Sequence, residues 1–278
     1  MARVWLVTGS SRGMGRAIAE AVLAAGDRVV ATARDTSRLA DLVDRYGAAI
    51  CPVPLDVTNE AAVGAAMQRA LDAFGRIDVV VNNAGYGDLA PIEDTPLAAF
   101  RQQIETNLFG TIIVTKAALP IFRRQGAGHF LQFSSVGGRI GSVGRAPYSA
   151  AKWGVEGFSE VLAQEVGPLG IKVTIVEPGG FRTDFAGAST RVVEGDPAYD
   201  ATVGAAARFQ RGYDGRQPGD PARAAAVLLQ LVAMDAPPLR LLLGSDAVRI
   251  VEAADQAKAA ADLRWRGLSV STDFATAS

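Results

Sequence analysis

Short apolar runs rich in β-branched residues recur along the chain at intervals typical of strands. Between them, apolar residues return at helical spacing, as at Ile18, Val22 and Leu23. Strands that alternate with helices pair in parallel through right-handed crossovers, and strands that are apolar throughout are covered on both faces. The pattern therefore predicts an α/β fold with a doubly wound parallel sheet in three layers, α/β/α. Its seven expected strands cover residues 4–8, 28–32, 50–53, 79–82, 129–134, 172–176 and 239–243.

The same rhythm sets the expected domain organisation. No repeat, linker or change of composition divides residues 1–264, which favours a single domain. Residues 183–218 interrupt the rhythm with scattered glycine, proline and aromatic residues, and we interpret them as a lid over a ligand site. Residues 265–278, which end in a run rich in serine and threonine, are expected to form a C-terminal tail.

Composition narrows the class of protein. Hydrophobic residues make up 49% of the chain and charged residues 21%, enough apolar side chains for a sizeable core. A net charge of −1 gives no field for holding nucleic acid or an acidic membrane, so neither is expected as a partner. The single cysteine, Cys51, excludes an intrachain disulfide, and no export signal or membrane span is evident, so we expect a cytoplasmic protein. One histidine, His129, and no carboxylate cluster predict no metal site.

A glycine-rich turn separates the first strand from the first helix. It has the sequence Thr8-Gly-Ser-Ser-Arg-Gly-Met-Gly15. Glycines let backbone amides approach a pyrophosphate closely, and the N-terminus of the following helix favours the anion. The spacing differs from the G-x-G-x-x-G fingerprint, so the turn alone does not distinguish a nucleotide site from an ordinary glycine turn.

Several motifs in one order carry a resemblance. The glycine turn, Asn82-Asn-Ala-Gly85 and Tyr148-x-x-x-Lys152 together resemble the short-chain dehydrogenase/reductase family across residues 3–245. The stretches at 135–138 and 155–158 also resemble its hydroxysteroid and retinol dehydrogenase branch, which implies an apolar substrate. The resemblance implies a Rossmann-type fold and a nicotinamide cofactor. By family position, the expected catalytic residues are Asn107, Ser135, Tyr148 and Lys152. The expected cofactor-binding residues are Gly9, Ser11, Arg12, Gly13, Met14, Gly15, Arg34, Asp56, Val57, Asn83, Ala84, Gly85, Tyr148, Lys152, Pro178, Gly179 and Thr183.

The chemistry of these residues agrees with that resemblance. Tyr148 and Lys152 stand at i and i+4 on one helix face, where the ammonium group favours the phenolate form of Tyr148. Tyr148 is therefore expected to act as general acid and base on a carbonyl or alcohol oxygen, with a hydrogen bond from Ser135 to the same oxygen. Ser134 is the neighbouring alternative to Ser135, and an ordinary surface pair is the alternative for Tyr148 and Lys152. The resemblance gives Asn107 a place in a water-linked proton path to the lysine.

The second strand bears on the choice of cofactor. Ala33 stands where the family places a ribose-binding acid, and Arg34 follows it. With Arg12 in the glycine turn, two guanidinium groups can hold a 2′-phosphate, which favours NADP(H). NAD(H) is the alternative, with Asp35 as the ribose ligand. Asp35 is otherwise interpreted as a helix cap.

Substrate and partners follow from the remaining apolar positions. We expect Tyr86, Phe181 and Phe185 to bind a hydrophobic alcohol, ketone or aldehyde, although the lid aromatics can instead serve only to pin an irregular loop. Apolar residues on more than one stripe of the helix at 148–166 predict a homodimer or homotetramer. Two other classes remain as alternatives: a catalytically idle NADP(H)-binding regulator, and a methyltransferase that shares only the glycine turn.

Overall fold

The chain folds as a parallel α/β sheet covered by helices. A computed structural model describes residues 2–185, 187 and 190–274. Within these residues seven parallel strands form one sheet in the order β3-β2-β1-β4-β5-β6-β7, which confirms the predicted fold class. The strands are β1 Val4–Val7, β2 Arg28–Ala33, β3 Ile50–Pro54, β4 Val79–Asn82, β5 Gly128–Phe133, β6 Ile171–Pro178 and β7 Arg240–Leu243.

Helices connect the strands and cover both faces of the sheet. They are α1 Gly13–Ala24, α2 Ala40–Tyr46, α3 Glu60–Phe74, α4 Leu97–Ile104, α5 Gly110–Gln125, α6 Ala146–Val166, α7 Ala205–Tyr213, α8 Pro221–Ala233 and α9 Ser245–Val270. A π-helical turn, Glu105–Phe109, joins α4 to α5. No helix in the described part of the chain is long and apolar enough to cross a membrane.

Successive residues of the central strand β1 belong to two separate cores. Trp5 and Val7 lie in one core with residues of α1, α2 and α8, whereas Val4 and Leu6 lie in the other with residues of α3, α5 and α6. Side chains alternate between the two faces of a strand, so a strand covered on both sides must be apolar at every position. This requirement explains the uninterrupted Val-Trp-Leu-Val sequence of β1.

The strand order places the binding edge of the sheet. The chain builds β1, β2 and β3 outward in one direction and then returns to place β4 on the other side of β1. Connections leaving β1 and β4 therefore diverge and open a crevice at their carboxyl ends. The glycine turn follows β1, and Asn83 follows β4, so both lie at this crevice.

The end of the chain differs from the expected tail. Helix α9 continues to Val270, so residues 265–270 are helical, and 275–278 lie outside the described residues. The first turns of α9 pack on the body through the buried Ala247 and Val251, and further along Asp255 pairs with Arg139 and Lys258 donates a hydrogen bond to the Arg139 carbonyl oxygen. From residue 255 to 274 every side chain is exposed. The alanine-rich sequence before Gly267 has high helix propensity, which explains why the helix extends beyond its contacts.

Candidate active site

The carboxyl edge of the sheet opens into a cleft of about 1250 Å³. The residues expected to bind cofactor or substrate line this cleft, except Gly15. Ser135, Tyr148 and Lys152 line it as well. Gly15 and Asn107 are buried directly behind the cleft wall. The residues that the sequence singled out thus converge on one place, although they come from the loops after six strands, from helix α6 and from the π-helical turn.

The glycine turn has the backbone shape of an anion cradle. Gly9 and Gly13 have φ of 70° and 56°, in the left-handed region that side chains disfavour. A Cβ on Gly15 would come within 2.6 Å of Asn83 Nδ2, and closer still to the carbonyl oxygen of Gly9. Helix α1 begins at Gly13 with no side chain capping its amides, so its N-terminus can receive a pyrophosphate. The turn fits the diphosphate of a nicotinamide dinucleotide.

Thr8 ties this turn to the strand β4. Its hydroxyl oxygen accepts hydrogen bonds from the backbone N–H groups of Asn83 and Ala84, at 2.9 and 3.0 Å. The same hydroxyl donates to the carbonyl oxygen of Val81 at 3.1 Å. These hydrogen bonds hold the loop after β1 against the loop after β4, although the two are about 75 residues apart in sequence.

Asn107 occupies the π-helical turn between α4 and α5. Its Oδ1 accepts a hydrogen bond from the N–H of Tyr86 at 2.9 Å, and its Nδ2 donates to the Tyr86 carbonyl at 2.7 Å. A Cβ on Gly85 would come within 2.5 Å of Oδ1, so this approach requires glycine there. Asn107 therefore sets the backbone of the segment that follows β4. The extra residue of a π turn, which turns a side chain out of helical register, is a frequent feature of functional sites.

Tyr148, Ser135 and Lys152 meet at the floor of the cleft. Lys152 lies one turn after Tyr148 on α6, with its Nζ 5.7 Å from the centre of the tyrosine ring. The lysine amine donates a hydrogen bond to the carbonyl oxygen of Phe133 at 2.7 Å. Ser135 accepts a hydrogen bond from the N–H of Gly137 at 3.1 Å. Ser135, rather than its neighbour Ser134, is the serine that hydrogen-bonds to Tyr148.

Burial shifts the pKa values of both titratable groups, Tyr148 and Lys152. Burial raises the pKa of Tyr148, while the hydrogen bond to Ser135 and the charge of Arg145 act in the opposite direction. Burial lowers the pKa of Lys152 to about 8, and Glu156 on the same helix opposes that shift. The sequence pointed to Lys152 as the cation beside Tyr148, and the charge of Arg145 is a second one that favours the phenolate.

Arg145 is the site residue that the motifs did not reveal. It precedes the first residue of α6, and its Nη1 donates to the carbonyl oxygen of Gly87 at 3.1 Å. Its guanidinium carbon lies 6.0 Å from the ring centre of Tyr148 and 5.9 Å from that of Phe185. One sequence signal was available. A cation at a helix N-terminus is unfavourable because it opposes the helix dipole, so its presence there indicates a role outside helix capping.

The lid places one aromatic ring directly over the floor. The rings of Phe185 and Tyr148 are 5.6 Å apart and tilted by 56°. Thr190 donates a hydrogen bond to the carbonyl oxygen of Gly87 at 2.9 Å, which anchors this part of the lid to the opposite wall. Tyr199 packs instead in a small cluster with Leu89 and away from the cleft. The expected lid thus contains both kinds of aromatic residue: some line the cleft, and Tyr199 pins the segment. Residues 186, 188 and 189 of the lid lie outside the described residues.

The far end of the cleft carries the residues that bear on cofactor choice. Arg12 and Arg34 both line it, both are exposed, and neither takes part in an ion pair among the described residues. Asp35 accepts hydrogen bonds from the N–H and hydroxyl of Ser37, at 3.1 and 2.6 Å. Asp35 therefore acts as the predicted cap of the short helix that begins at Thr36.

Comparison with known proteins agrees with this architecture. A family profile described as short chain dehydrogenase matches residues 3–193. Oxidoreductase BOA17 of Botryotinia fuckeliana is 48% identical over 273 residues, which cover 98% of this chain and 100% of that protein. The crystal structure of a short-chain dehydrogenase from Streptomyces avermitilis has 42% identity and a TM-score of 0.91 over 98% of both chains. An alcohol dehydrogenase from the archaeon Thermococcus sibiricus, complexed with 5-hydroxy-NADP, has 27% identity and a TM-score of 0.72 over 87% of this chain and 96% of its own.

The fold, the cleft and these relatives lead to one assignment. A doubly wound sheet, a glycine cradle at its switch point and a Ser-Tyr-Lys floor occur together in a chain that matches this family along most of its length. The chain is an oxidoreductase of the short-chain dehydrogenase/reductase family.

Proposed function

We propose that the chain interconverts a secondary alcohol and a ketone, or an alcohol and an aldehyde, on a hydrophobic small molecule, with NADP(H) as cofactor and Tyr148 as general acid and base. The observation that carries the proposal is the convergence of Tyr148, Ser135 and Lys152 in the cleft that also contains the glycine cradle. A methyltransferase would have no chemical use for this floor. An idle cofactor-binding regulator would need only the cradle.

Each residue of the floor has a distinct task. A bound nicotinamide supplies or accepts the hydride. Tyr148 donates its phenolic proton to the carbonyl oxygen during reduction and takes the proton back during oxidation. Ser135 donates a hydrogen bond to the same oxygen as negative charge develops on it. Lys152 is anchored by the Phe133 carbonyl beside the tyrosine ring and would help to hold the ribose of a bound cofactor, and Asn107 holds the Tyr86 backbone that forms the opposite wall.

The cofactor residues follow the same edge of the sheet. The turn residues Gly9, Ser11, Arg12, Gly13 and Met14 would hold the diphosphate, with Gly15 behind them allowing the close approach. NADP(H) is preferred over NAD(H) because Arg12 and Arg34 are free to take the 2′-phosphate and Asp35 is occupied by its own cap. The remaining cofactor contacts in this proposal are Asp56, Val57, Asn83, Ala84, Gly85, Tyr148, Lys152, Pro178, Gly179 and Thr183.

The apolar lining supports a hydrophobic substrate. Phe185 lies on Tyr148, and Tyr86, Leu89 and Phe181 also line the cleft. Burial of one such ring against a ligand stabilises binding by roughly 1.5–3 kcal/mol. An apolar body placed against Phe185 would set the reacting carbon beside the tyrosine.

The test is a direct assay of hydride transfer. Absorbance of the reduced nicotinamide is followed with NADPH and a panel of ketones and aldehydes, and with NADP⁺ and the matching alcohols. We expect turnover with bulky apolar members, and a loss in Tyr148→Phe on the order of 10²–10⁴, with cofactor affinity kept. Tight NADPH binding without turnover on any carbonyl would favour the idle regulator instead. Near-normal turnover in Tyr148→Phe would remove the tyrosine from the mechanism.

We also propose a cytoplasmic homodimer or homotetramer. Val155 and Leu162 of α6 are buried in the subunit and Phe158 is partly buried, so these residues of the expected stripe face the core. Val161 is 55% exposed, and Trp153, on the same helix, is 48% exposed. A second copy of this face would cover both side chains across a two-fold axis. Buried, unpaired Cys51 is compatible with a reducing compartment.

A further inference from the structure

Arg145 occupies a position that is unfavourable for a cation. It stands immediately before α6, where the helix dipole is positive, and its side chain does not cap the helix. Burial in the cleft wall lowers the pKa of its guanidinium, which is the mark of a charge taken out of water. Both effects cost free energy, so some group in the cleft must offset them.

No carboxylate forms an ion pair with Arg145 among the described residues. Its two hydrogen-bond acceptors are neutral, the carbonyl oxygen of Gly87 and the side-chain oxygen of Gln210. Asp88 adds a favourable charge interaction from beyond ion-pair distance, while its carboxylate accepts a hydrogen bond from the N–H of Arg191. The guanidinium is thus held in place without a counter-charge in contact.

The geometry directs this charge at one aromatic group. The guanidinium carbon lies 6.0 Å from the ring centre of Tyr148 and 5.9 Å from that of Phe185, so it stands beside the pair that the two rings form. Gly87 packs against both groups. A Cβ at this position would come within 2.9 Å of the tyrosine ring and 3.0 Å of Arg145 Nη1, so the close packing requires glycine. Of these groups only Tyr148 can become an anion.

We propose that Arg145 is a positioning residue that stabilises the ionised form of Tyr148, so that the tyrosine has two cations near its ring, Arg145 immediately before α6 and Lys152 one turn after the tyrosine. The proposal rests on the proposed function, in which that phenolate is the base for alcohol oxidation. It assigns Arg145 no contact with the substrate.

The other groups around Tyr148 supply little positive charge to stabilise its phenolate at alkaline pH. From α6 itself, Lys152 faces the ring, with Glu156 behind it; burial lowers the pKa of Lys152 to about 8. From the segment after β4, Asp88 acts on Arg145, and the loop after β5 contributes the neutral Ser135. The lid contributes the neutral Phe185. A guanidinium stays charged at every pH at which a protein is folded, whereas a lysine with a pKa of about 8 is partly neutral in the alkaline range. Arg145 therefore supplies the cation where Lys152 loses its charge.

The test measures the ionisation of Tyr148 without any substrate. Phenolate absorbance is titrated against pH in the presence of NADP⁺, and the curve of each protein is compared with that of its Tyr148→Phe counterpart. Three backgrounds are compared: the natural chain, Arg145→Gln and Arg145→Lys. Arg69→Gln, an exposed residue on α3, serves as control for the loss of one positive charge.

We expect the midpoint for Tyr148 to move to higher pH by about one unit or more in Arg145→Gln, the effect of removing an opposite charge at this range. Arg145→Lys should restore most of the shift, and Arg69→Gln should show none. An unchanged midpoint in Arg145→Gln, or equal shifts in the Gln and Lys variants, would overturn the proposal. If Arg145→Gln does not fold, Arg145→Met serves for the same titration.

The pH profile of kcat/KM for alcohol oxidation distinguishes stabilisation of the phenolate from a purely structural role of Arg145 and from binding of an anionic substrate. We expect Arg145→Gln to lose about tenfold on the acid side of the profile and far less on the alkaline side, the result of a one-unit displacement. A uniform loss at all pH values would show a structural role, and a loss confined to substrates with a carboxylate would show anion binding; either contradicts the proposal. A shifted titration in a chain with no turnover would defeat the proposed function and leave the inference on Arg145 standing.

Discussion

Asn83 reaches across the crevice and donates a hydrogen bond from Nδ2 to the carbonyl oxygen of Thr8 at 2.9 Å. The bond joins the end of β4 to the glycine turn after β1, and it leaves no space beneath Gly15. The side of the cleft that receives the cofactor is therefore set by two side chains, Thr8 and Asn83, whose contact no local pattern reveals.

This packing makes Gly15→Ala a sharp test. The added methyl group would come within 2.6 Å of Asn83 Nδ2, so the turn must shift. We expect a loss of roughly 1–3 kcal/mol in stability together with weaker NADPH binding. Gly64→Ala on α3 is the matched control, because its Cβ meets nothing within 4 Å. It should be neutral or stabilising by about 0.5–1 kcal/mol. Thermal unfolding measures the stability of each variant, and fluorescence titration measures its affinity for NADPH. Equal stability and equal affinity in Gly15→Ala and Gly64→Ala would contradict the packing argument.

Replacing Arg34 with alanine tests the cofactor preference. The variant should bind NADPH more weakly by roughly 1.5–3 kcal/mol, the worth of hydrogen bonds to a charged group, and should bind NADH about as well as before. Arg38→Ala is the control, since Arg38 is exposed and its partner is Asp35 rather than the cleft. Side-by-side titrations in which the natural chain prefers NADH would show the preference to be wrong.

Phe185→Ala tests the substrate proposal. Its ring packs on Tyr148, so its removal should raise KM for a large apolar ketone far more than for a small one, with roughly 1.5–3 kcal/mol of burial at stake. Phe274→Ala, at a fully exposed position, should change neither value. Equal losses for both ketones, or a preference for charged sugars, would leave the hydrophobic pocket without support.

Val161→Asp tests the oligomer. A carboxylate at this exposed position of α6 would have to be buried across the two-fold axis without a partner, so we expect dissociation to monomers at micromolar protein. Light scattering gives the mass. Ile92→Asp, at a position 70% exposed and away from α6, should leave the mass unchanged. A natural chain that is already monomeric would refute the proposal directly.

His129 predicts an acid limit to stability. The side chain is buried on β5 and shares a hydrogen bond with the hydroxyl of Thr174 at 3.0 Å. Burial, with added repulsion from Lys172 and Arg3, lowers the pKa of His129 to about 4 from 6.5. The unfolded chain then binds the proton more readily than the folded chain between these values. Stability is therefore complete above pH 6.5 and falls as the pH drops toward 4, by roughly 3 kcal/mol at most.

Denaturant unfolding at pH 7.5 and pH 5 measures that loss, with His129→Gln as the comparison. The variant lacks the titrating group and should lose less stability between the two pH values than the natural chain. An identical loss in both proteins would show that other groups cause the acid sensitivity.

The sequence predicted the fold because its signals are periodic and repeated. Alternating strand and helix patterns admit few connections, and the seven expected strands lie within one or two residues of those observed. The spaced motifs likewise predicted which residues meet in the cleft. The long helix α9 was not predicted, because a serine- and threonine-rich ending obscured an alanine-rich helix whose last turns are exposed among the described residues.

By itself the sequence determined the family, and it predicted that the glycine turn, Tyr148, Ser135 and Lys152 would meet at one edge of the sheet, since these depend on spacing along the chain and on the edge where parallel strands end. Tertiary structure alone decided that Asp35 caps its own helix, that Tyr199 packs away from the cleft, and that Arg145 stands beside the tyrosine. The physical reason is one of range. Periodicity and spacing are local properties, whereas the charge around Tyr148 is the sum over groups from α6 and from the ends of β4 and β5, and only folding brings these within a few ångströms of one another.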